Sequence, residues 1–179
     1  SNNKDTYVFD GSIRINDSID FQNGNDKISV EGGNGDAFYI EESVKLSMGN
    51  GNDILNSTQT TPQIGASTQH GFYINGSIDM GDGDDLIAGT SILINGANSL
   101  LKMGNGDDTV SAIFYGGTGI YDFGNGIDTL HVKAGTYDIR STGSDVFLVE
   151  GITDPSVKGS VKNLEYFSNG NGTKYDFTE

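Results

Sequence analysis

MGNGDDTV, residues 103–110, decides how this chain is read, because the same phrase stands at four other places. The other copies are FQNGNDKI (21–28), MGNGNDIL (48–55), MGDGDDLI (80–87) and FGNGIDTL (123–130). All five share an aspartate: Asp26, Asp53, Asp85, Asp108 and Asp128. Two residues before each stands a glycine, at Gly24, Gly51, Gly83, Gly106 and Gly126. Two residues after stands Ile28, Leu55, Ile87, Val110 or Leu130. Phe21, Met48, Met80, Met103 and Phe123 lie five before, and Ile19, Leu46, Ile78, Leu101 and Tyr121 seven before. Apolar residues at alternate positions share one face of a strand. Each copy therefore predicts a strand, an acidic glycine-rich turn and a second strand.

Successive aspartates are 27, 32, 23 and 20 residues apart. One such unit cannot bury its apolar face alone, so stability must come from stacking neighbours. The lengths fit one coil of an all-β parallel solenoid, with insertions in the first two steps. In-register stacking sets each aspartate about 5 Å from the next, the strand spacing. At an effective dielectric near 20, each ionised neighbouring pair then costs roughly 3 kcal/mol. Such a row calls for cations. The turn offers carboxylate and peptide oxygens, hard ligands of which calcium takes six to eight. With no cysteine in the chain and only His70 and His131 as nitrogen donors, zinc and copper are poor fits. Magnesium prefers a tighter octahedron with retained waters.

The phrases resemble the glycine- and aspartate-rich nonapeptide repeat of RTX proteins. The likeness covers Gly-x-Gly-x-Asp-x-aliphatic in four copies, while the first has Gln22 in place of the leading glycine. Where the family's first position is glycine, this chain has Phe or Met, read as a strand residue facing the core. The resemblance implies several calcium ions held between turns by the five aspartates and main-chain oxygens around Gly24, Gly51, Gly83, Gly106 and Gly126. Asn50, Asp82 and Asn105, at the position between the paired glycines, complete the candidate ligand set. The family carries acidic turns at both ends of each coil, and here the second corner differs. FDGSI (9–13), IEESV (40–44), INGSI (74–78) and INGAN (94–98) read as ordinary turns. One row of ions along one edge is expected. GGNGDAFY (32–39) is a degenerate copy whose Asp36 falls one residue early.

Ten Lys plus Arg face 25 Asp plus Glu, a formal charge of −15, and many of the acids gather in the repeated turns. That balance argues against nucleic acid or an anionic membrane as a direct partner. Contact with extracellular glycans or a cell surface stays open. Glycine supplies 27 of 179 residues, about twice its usual share of ~7%. Such a chain loses much entropy on ordering, so metal affinity becomes folding free energy. Extracellular calcium modules have dissociation constants of roughly 10⁻⁴ to 10⁻³ M; the chain should stay loose inside a cell and fold outside it. The resemblance implies the same logic, that of type I secretion.

The opening SNNKDTYVFDG has no basic-then-apolar leader, and no apolar run is long enough to span a membrane. The missing leader agrees with type I export, but a module of a larger protein is the preferred reading; an export signal in KYDFTE is the weaker alternative to a cap at the C-terminal end. Residues 1–132 form the repeat region, with a regular core at 71–132. Residues 56–70, polar and containing Pro62, interrupt one coil. Residues 133–179 read as a C-terminal β cap with strands around TYDIR (136–140), DVFLVE (145–150) and NLEYF (163–167).

Asp84–Asp85 and Asp107–Asp108 look like glycosidase acid pairs but sit in the calcium turns, where Asp84 and Asp107 should face solvent. With Arg14 and Arg140 the only arginines, no catalytic constellation emerges, and an enzyme is not expected. His70 and His131 read as surface or strand residues, and Phe38, Phe72 and Phe114 as core. The leading function is a calcium-binding structural module of a secreted or cell-surface bacterial protein: an adhesin, surface-layer or matrix component, or toxin. The alternatives are a solenoid face for glycan or ice, or a repeat domain accessory to a secreted polysaccharide-active enzyme. Thr90, Thr109, Thr118 and Thr129 share no single slot, which weighs against ice.

Overall fold

A computed structural model describes residues 3–33, 35–59, 70–143 and 145–177, with the backbone alone at 113–115. The described residues are all-β, with no helix. The first repeat supplies β1 (Thr6–Asp10), β2 (Ile13–Ile15) and β3 (Ile19–Asp20). The second supplies β4 (Lys27–Gly32), β5 (Phe38–Ile40) and β6 (Lys45–Asn50). The third supplies β7 (Ile54–Gln59), β8 (Phe72–Ile74) and β9 (Ser77–Asp82). In the fourth and fifth the first two strands fuse, giving β10 (Leu86–Ile94) with β11 (Leu100–Asn105), then β12 (Thr109–Gly117) with β13 (Ile120–Asn125).

Each repeat thus contributes to two sheets. One sheet runs β1-β4-β7-β10-β12, with β2-β5-β8 alongside and joined to it through β10; the other runs β3-β6-β9-β11-β13. Every pairing between repeats is parallel, and the repeated phrase sets the register. Ile28, Leu55, Ile87, Val110 and Leu130 are successive partners in the first sheet. Leu46, Ile78, Leu101 and Tyr121 are successive partners in the second. These two rows, with Met48, Met80, Met103 and Phe123, are buried in a single core. The alternation reads correctly because a slip of one residue would turn a whole row to solvent. Phe38 and Phe72 are buried as expected, at a ring separation of 5.3 Å; the Phe114 side chain lies outside the described residues.

Two expectations are corrected. FDGSI does not match the corners at 40–44 and 74–78. Because Ile13 pairs with Phe38 and Ile15 with Ile40, it is the bend between β1 and β2. The corner of the first repeat is therefore residues 16–18. Asp-Gly marks a turn from its backbone tolerance, but not which turn. The stretch 56–70 is also not uniformly an interruption: Asn56–Gln59 belong to β7 and pair in register with Ser29–Gly32. The rest precedes β8 in the sequence, at the position where β10 and β12 run straight through. Residues 60–69 lie outside the described residues.

Beyond Asp128 come β14 (Thr129–His131), β15 (Tyr137–Gly143), β16 (Val146–Gly151), β17 (Lys158–Lys162), β18 (Tyr166–Ser168) and β19 (Lys174–Asp176). β17 and β18 still add in parallel, to β13 and β14. β16, β15 and β19 then run antiparallel. Val149, Val161 and Phe167 are fully buried there, so the core is covered at this end.

Candidate metal centre

The five shared aspartates form one continuous row at the edge where the two sheets meet. Each is 2% exposed or less. The peptide group is consumed by the stack: the carbonyls of Asp26, Asp53, Asp85 and Asp108 accept from Ile54, Leu86, Thr109 and Thr129 at 2.8–2.9 Å. One carboxylate oxygen is consumed too. The N–H of Asp26 donates to Oδ1 of Asp53, Asp53 to Asp85, Asp85 to Asp108 and Asp108 to Asp128, at 2.7–2.8 Å. Oδ2 of Asp26, Asp53, Asp85, Asp108 and Asp128 is buried and accepts no hydrogen bond from any described residue. Burying an acceptor without a donor costs about 1–3 kcal/mol, and more for a charged group.

The electrostatics follow from that geometry. Burial pushes the Asp85 carboxyl up to about 8; its hydrogen bond from Asp53 opposes the rise, and the Asp108, Asp53 and Asp84 charges add to it. Burial likewise raises Asp53 and Asp108 to about 6 and Asp128 to about 7. The rise is largest at Asp85, in the middle of the row, and burial is its main cause. Without a counter-ion Asp85 and Asp128 titrate around neutrality, while Asp53 and Asp108 lose their protons below it.

The glycines are fixed by contact. Gly51, Gly83, Gly106 and Gly126 have φ between 131° and 148°. A Cβ on any of them would lie 1.7–2.2 Å from the carbonyl oxygen of the matching glycine one repeat earlier. The carbonyls of Gly24, Gly51, Gly83 and Gly106 thus face the next repeat's glycine Cα. The paired glycines Gly49, Gly81, Gly104 and Gly124 also have positive φ, and Gln22, at the same slot, has φ 71°.

Two outer ladders flank the buried one. Asn50 Nδ2 donates to Asn23 Oδ1, Asn105 to Asp82, and Asn125 to Asn105. The N–H groups of Asn52, Asp84, Asp107 and Ile127 donate back to Oδ1 of Asn25, Asn52, Asp84 and Asp107. Asn50, Asp82, Asn105, Asp84 and Asp107 are exposed, so of the candidate set only the five aspartates share the buried row. Among the described residues no three carboxylate or imidazole groups converge on one point. The carboxylates form a line, and an ion on it would touch at most adjacent rungs and fill its remaining positions with main-chain oxygens or water.

Sequence reasoning missed both ends of the row. Asp5 N–H donates to Asp26 Oδ1 at 2.7 Å, and Asp5 C=O accepts from Lys27. At the other end Asp128 N–H donates to Glu165 Oε2 at 2.9 Å, and Asp128 C=O accepts from Tyr166. Neither acid has the glycine turn; the surviving signal is an acid followed two residues later by a large apolar residue, Tyr7 or Phe167. Asp36 is elsewhere engaged, its Oδ1 accepting from His70 N–H at 2.8 Å and lying 3.0 Å from His70 Nδ1. His70 is buried, contrary to a surface reading, and His131 is exposed on β14.

Comparison with known protein families, characterised proteins and solved structures finds no match to this chain. Among the described residues no helix is long and apolar enough to cross a membrane.

Proposed function

We propose that this chain is a calcium-binding β-solenoid module of RTX type, non-catalytic, and part of a secreted or cell-surface bacterial protein. One observation carries the reading: five buried carboxylates in line, each with an oxygen that no donor among the described residues satisfies. A divalent cation satisfies those oxygens and cancels the repulsion between rungs, which acts over the ~5 Å strand spacing. Oxygen-only surroundings favour calcium over zinc or copper. The net charge of −15 adds long-range attraction for cations. An extracellular setting follows from the same chemistry, because millimolar calcium outside the cell matches the affinity of such sites.

Circular dichroism with and without chelator tests this. The chelated chain is expected to be largely disordered and to gain β-structure on addition of millimolar calcium, with magnesium unable to replace it. A fully folded spectrum in chelator, with a melting temperature that calcium leaves unchanged, would overturn the reading. A second reading has support in the raised carboxyl pKa values and the linear arrangement: a neutral ladder that carries protons and needs no metal. It calls for a chain folded in chelator at neutral pH, with a stability that calcium leaves unchanged.

A further inference from the structure

The two ends of the stack are finished differently. At the C-terminal end antiparallel strands cover the core. At the other end, among the described residues, β1, β2 and β3 each have a partner strand on one side only. Their inward side chains line an open groove of about 850 Å³ that includes Tyr7, Phe9, Ile13, Ile15, Ile19 and Phe21. Tyr7, Phe9 and Ile19 are 45%, 37% and 42% exposed, although Tyr7 pairs with Ile28, Phe9 with Val30 and Ile19 with Leu46, all core residues. These are core positions with no neighbour on one side.

We infer that this face is a docking surface for one further repeat of the same phrase, entering as an extended segment parallel to β1 and β3. The inference does not depend on which cation, if any, binds the row. Its basis is continuity with the interface between repeats. Every rung from Asp53 to Asp128 receives at Oδ1 the N–H of the aspartate one repeat earlier. Asp26 receives that of Asp5, whereas the Asp5 carboxylate accepts from no described residue. Thr6 is the partner of Lys27, whose N–H donates to the preceding rung's carbonyl. Asp5 and Thr6 therefore offer one acceptor and one donor at the spacing an incoming Asp needs. The C-terminal end presents antiparallel strands and does not offer this phrase, which disfavours head-to-tail stacking of whole copies. An exposed parallel edge over an apolar groove is a template for strand addition.

The probe is a labelled peptide of residues 100–117, which carries one complete phrase, mixed with the full chain in millimolar calcium. Saturable one-to-one binding is expected, with amide exchange across 6–10 and 19–20 slowed about tenfold or more. A scrambled peptide should do neither, and Phe9→Lys with Ile19→Lys should abolish binding. Should that variant misfold, the exchange pattern of the unaltered chain decides alone. Equal protection by the scrambled peptide overturns the inference. So does dimerisation of the chain, seen by sedimentation, that protects β1 and β3 while the peptide fails to compete.

Discussion

The two edges of the stack solve the same problem in opposite ways. At the corners following β5, β8 and β10, polar groups are satisfied from within the protein. Asn75 Nδ2 donates to Tyr39 Oη at 2.7 Å and Asn95 Nδ2 to Tyr73 Oη at 2.8 Å, while the two tyrosine rings stack 5.0 Å apart. The Arg14 guanidinium lies over the Tyr39 ring and pairs with Glu41. At the glycine edge the protein satisfies every peptide group of the aspartate row and one carboxylate oxygen per rung, then stops. A repeat that can place an amide opposite a phenol has no need to leave five acceptors orphaned. The difference separates an edge complete by itself from one that needs protons or cations.

Backbone contact gives the largest expected effect. Gly106→Ala puts a methyl 2.1 Å from the Gly83 carbonyl oxygen at φ 134°, and neither backbone can retreat without breaking the adjacent pairing. A loss of about 3 kcal/mol or more is expected, from clash and strained φ together. Gly11→Ala is the control: its φ is 125°, but nothing lies within 4 Å. It should lose only the strain, about 1–2 kcal/mol. Chemical denaturation in calcium compares the two, and equal losses would remove contact as the reason for glycine in the row.

Next in size is the charge itself. A carboxyl with a raised native pKa binds more protons when folded than when unfolded, so its contribution is complete below the unfolded value of 3.8. It is lost as pH rises toward about 6 for Asp53 and Asp108, 7 for Asp128 and 8 for Asp85. In chelator, the chain that is largely disordered at neutral pH should therefore recover folded structure as pH falls from 8 toward 4. Asp85→Asn keeps an Oδ1 acceptor for Asp53 N–H and removes the charge. It should stabilise the chelated chain at pH 8 by about 1–2 kcal/mol and flatten that pH dependence. In calcium the same substitution should destabilise, through the lost ligand charge. The folded fraction by circular dichroism in chelator and the melting temperature in calcium read the change of sign; a same-sign effect would mean that the row does not bind the ion.

How much of this was legible depended on what each residue had to do. The aspartate row and the two core rows are written in the sequence because in-register parallel pairing repeats one environment, and one environment selects one residue type. Asp5 and Glu165 were hidden because their rungs are entered without the glycine turn, so only the acid and its apolar partner survive. FDGSI misled because Asp-Gly tolerance is shared by bends and corners; only the pairing of Ile13 with Phe38 separates them. The orphaned Oδ2 atoms could not be read from spacing, since period two says which face a side chain takes and nothing about which oxygen finds a donor.

A smaller effect is expected at Gln22, the one copy without the leading glycine. Its φ of 71° is shared in sign by Gly49, Gly81, Gly104 and Gly124, so the slot demands a conformation that a β-carbon resists. Gln22→Gly should stabilise by about 1 kcal/mol, relief of left-handed strain outweighing the added freedom of the unfolded chain. Because strain is independent of the ion, the gain should be equal in calcium and in chelator wherever both forms fold. A gain confined to calcium would place Gln22 within the ion's reach.

The smallest effect tests the self-sufficient edge. Asn75→Ala removes the donor to Tyr39 Oη and leaves the Asn75 main chain intact, including its carbonyl, which accepts from Ser99 Oγ at 2.6 Å. The phenol is near enough to solvent to find water, so the expected loss is about 0.5–1 kcal/mol. What matters is its dependence on conditions. If this edge is satisfied by the protein alone, the loss should not change with calcium or with pH between 5 and 8, and should add to that of Asp85→Asn. A double-mutant cycle reads this directly. Coupling well above about 0.5 kcal/mol would show the two edges working as one unit, with the ion's influence carried across the core by the stacked strands.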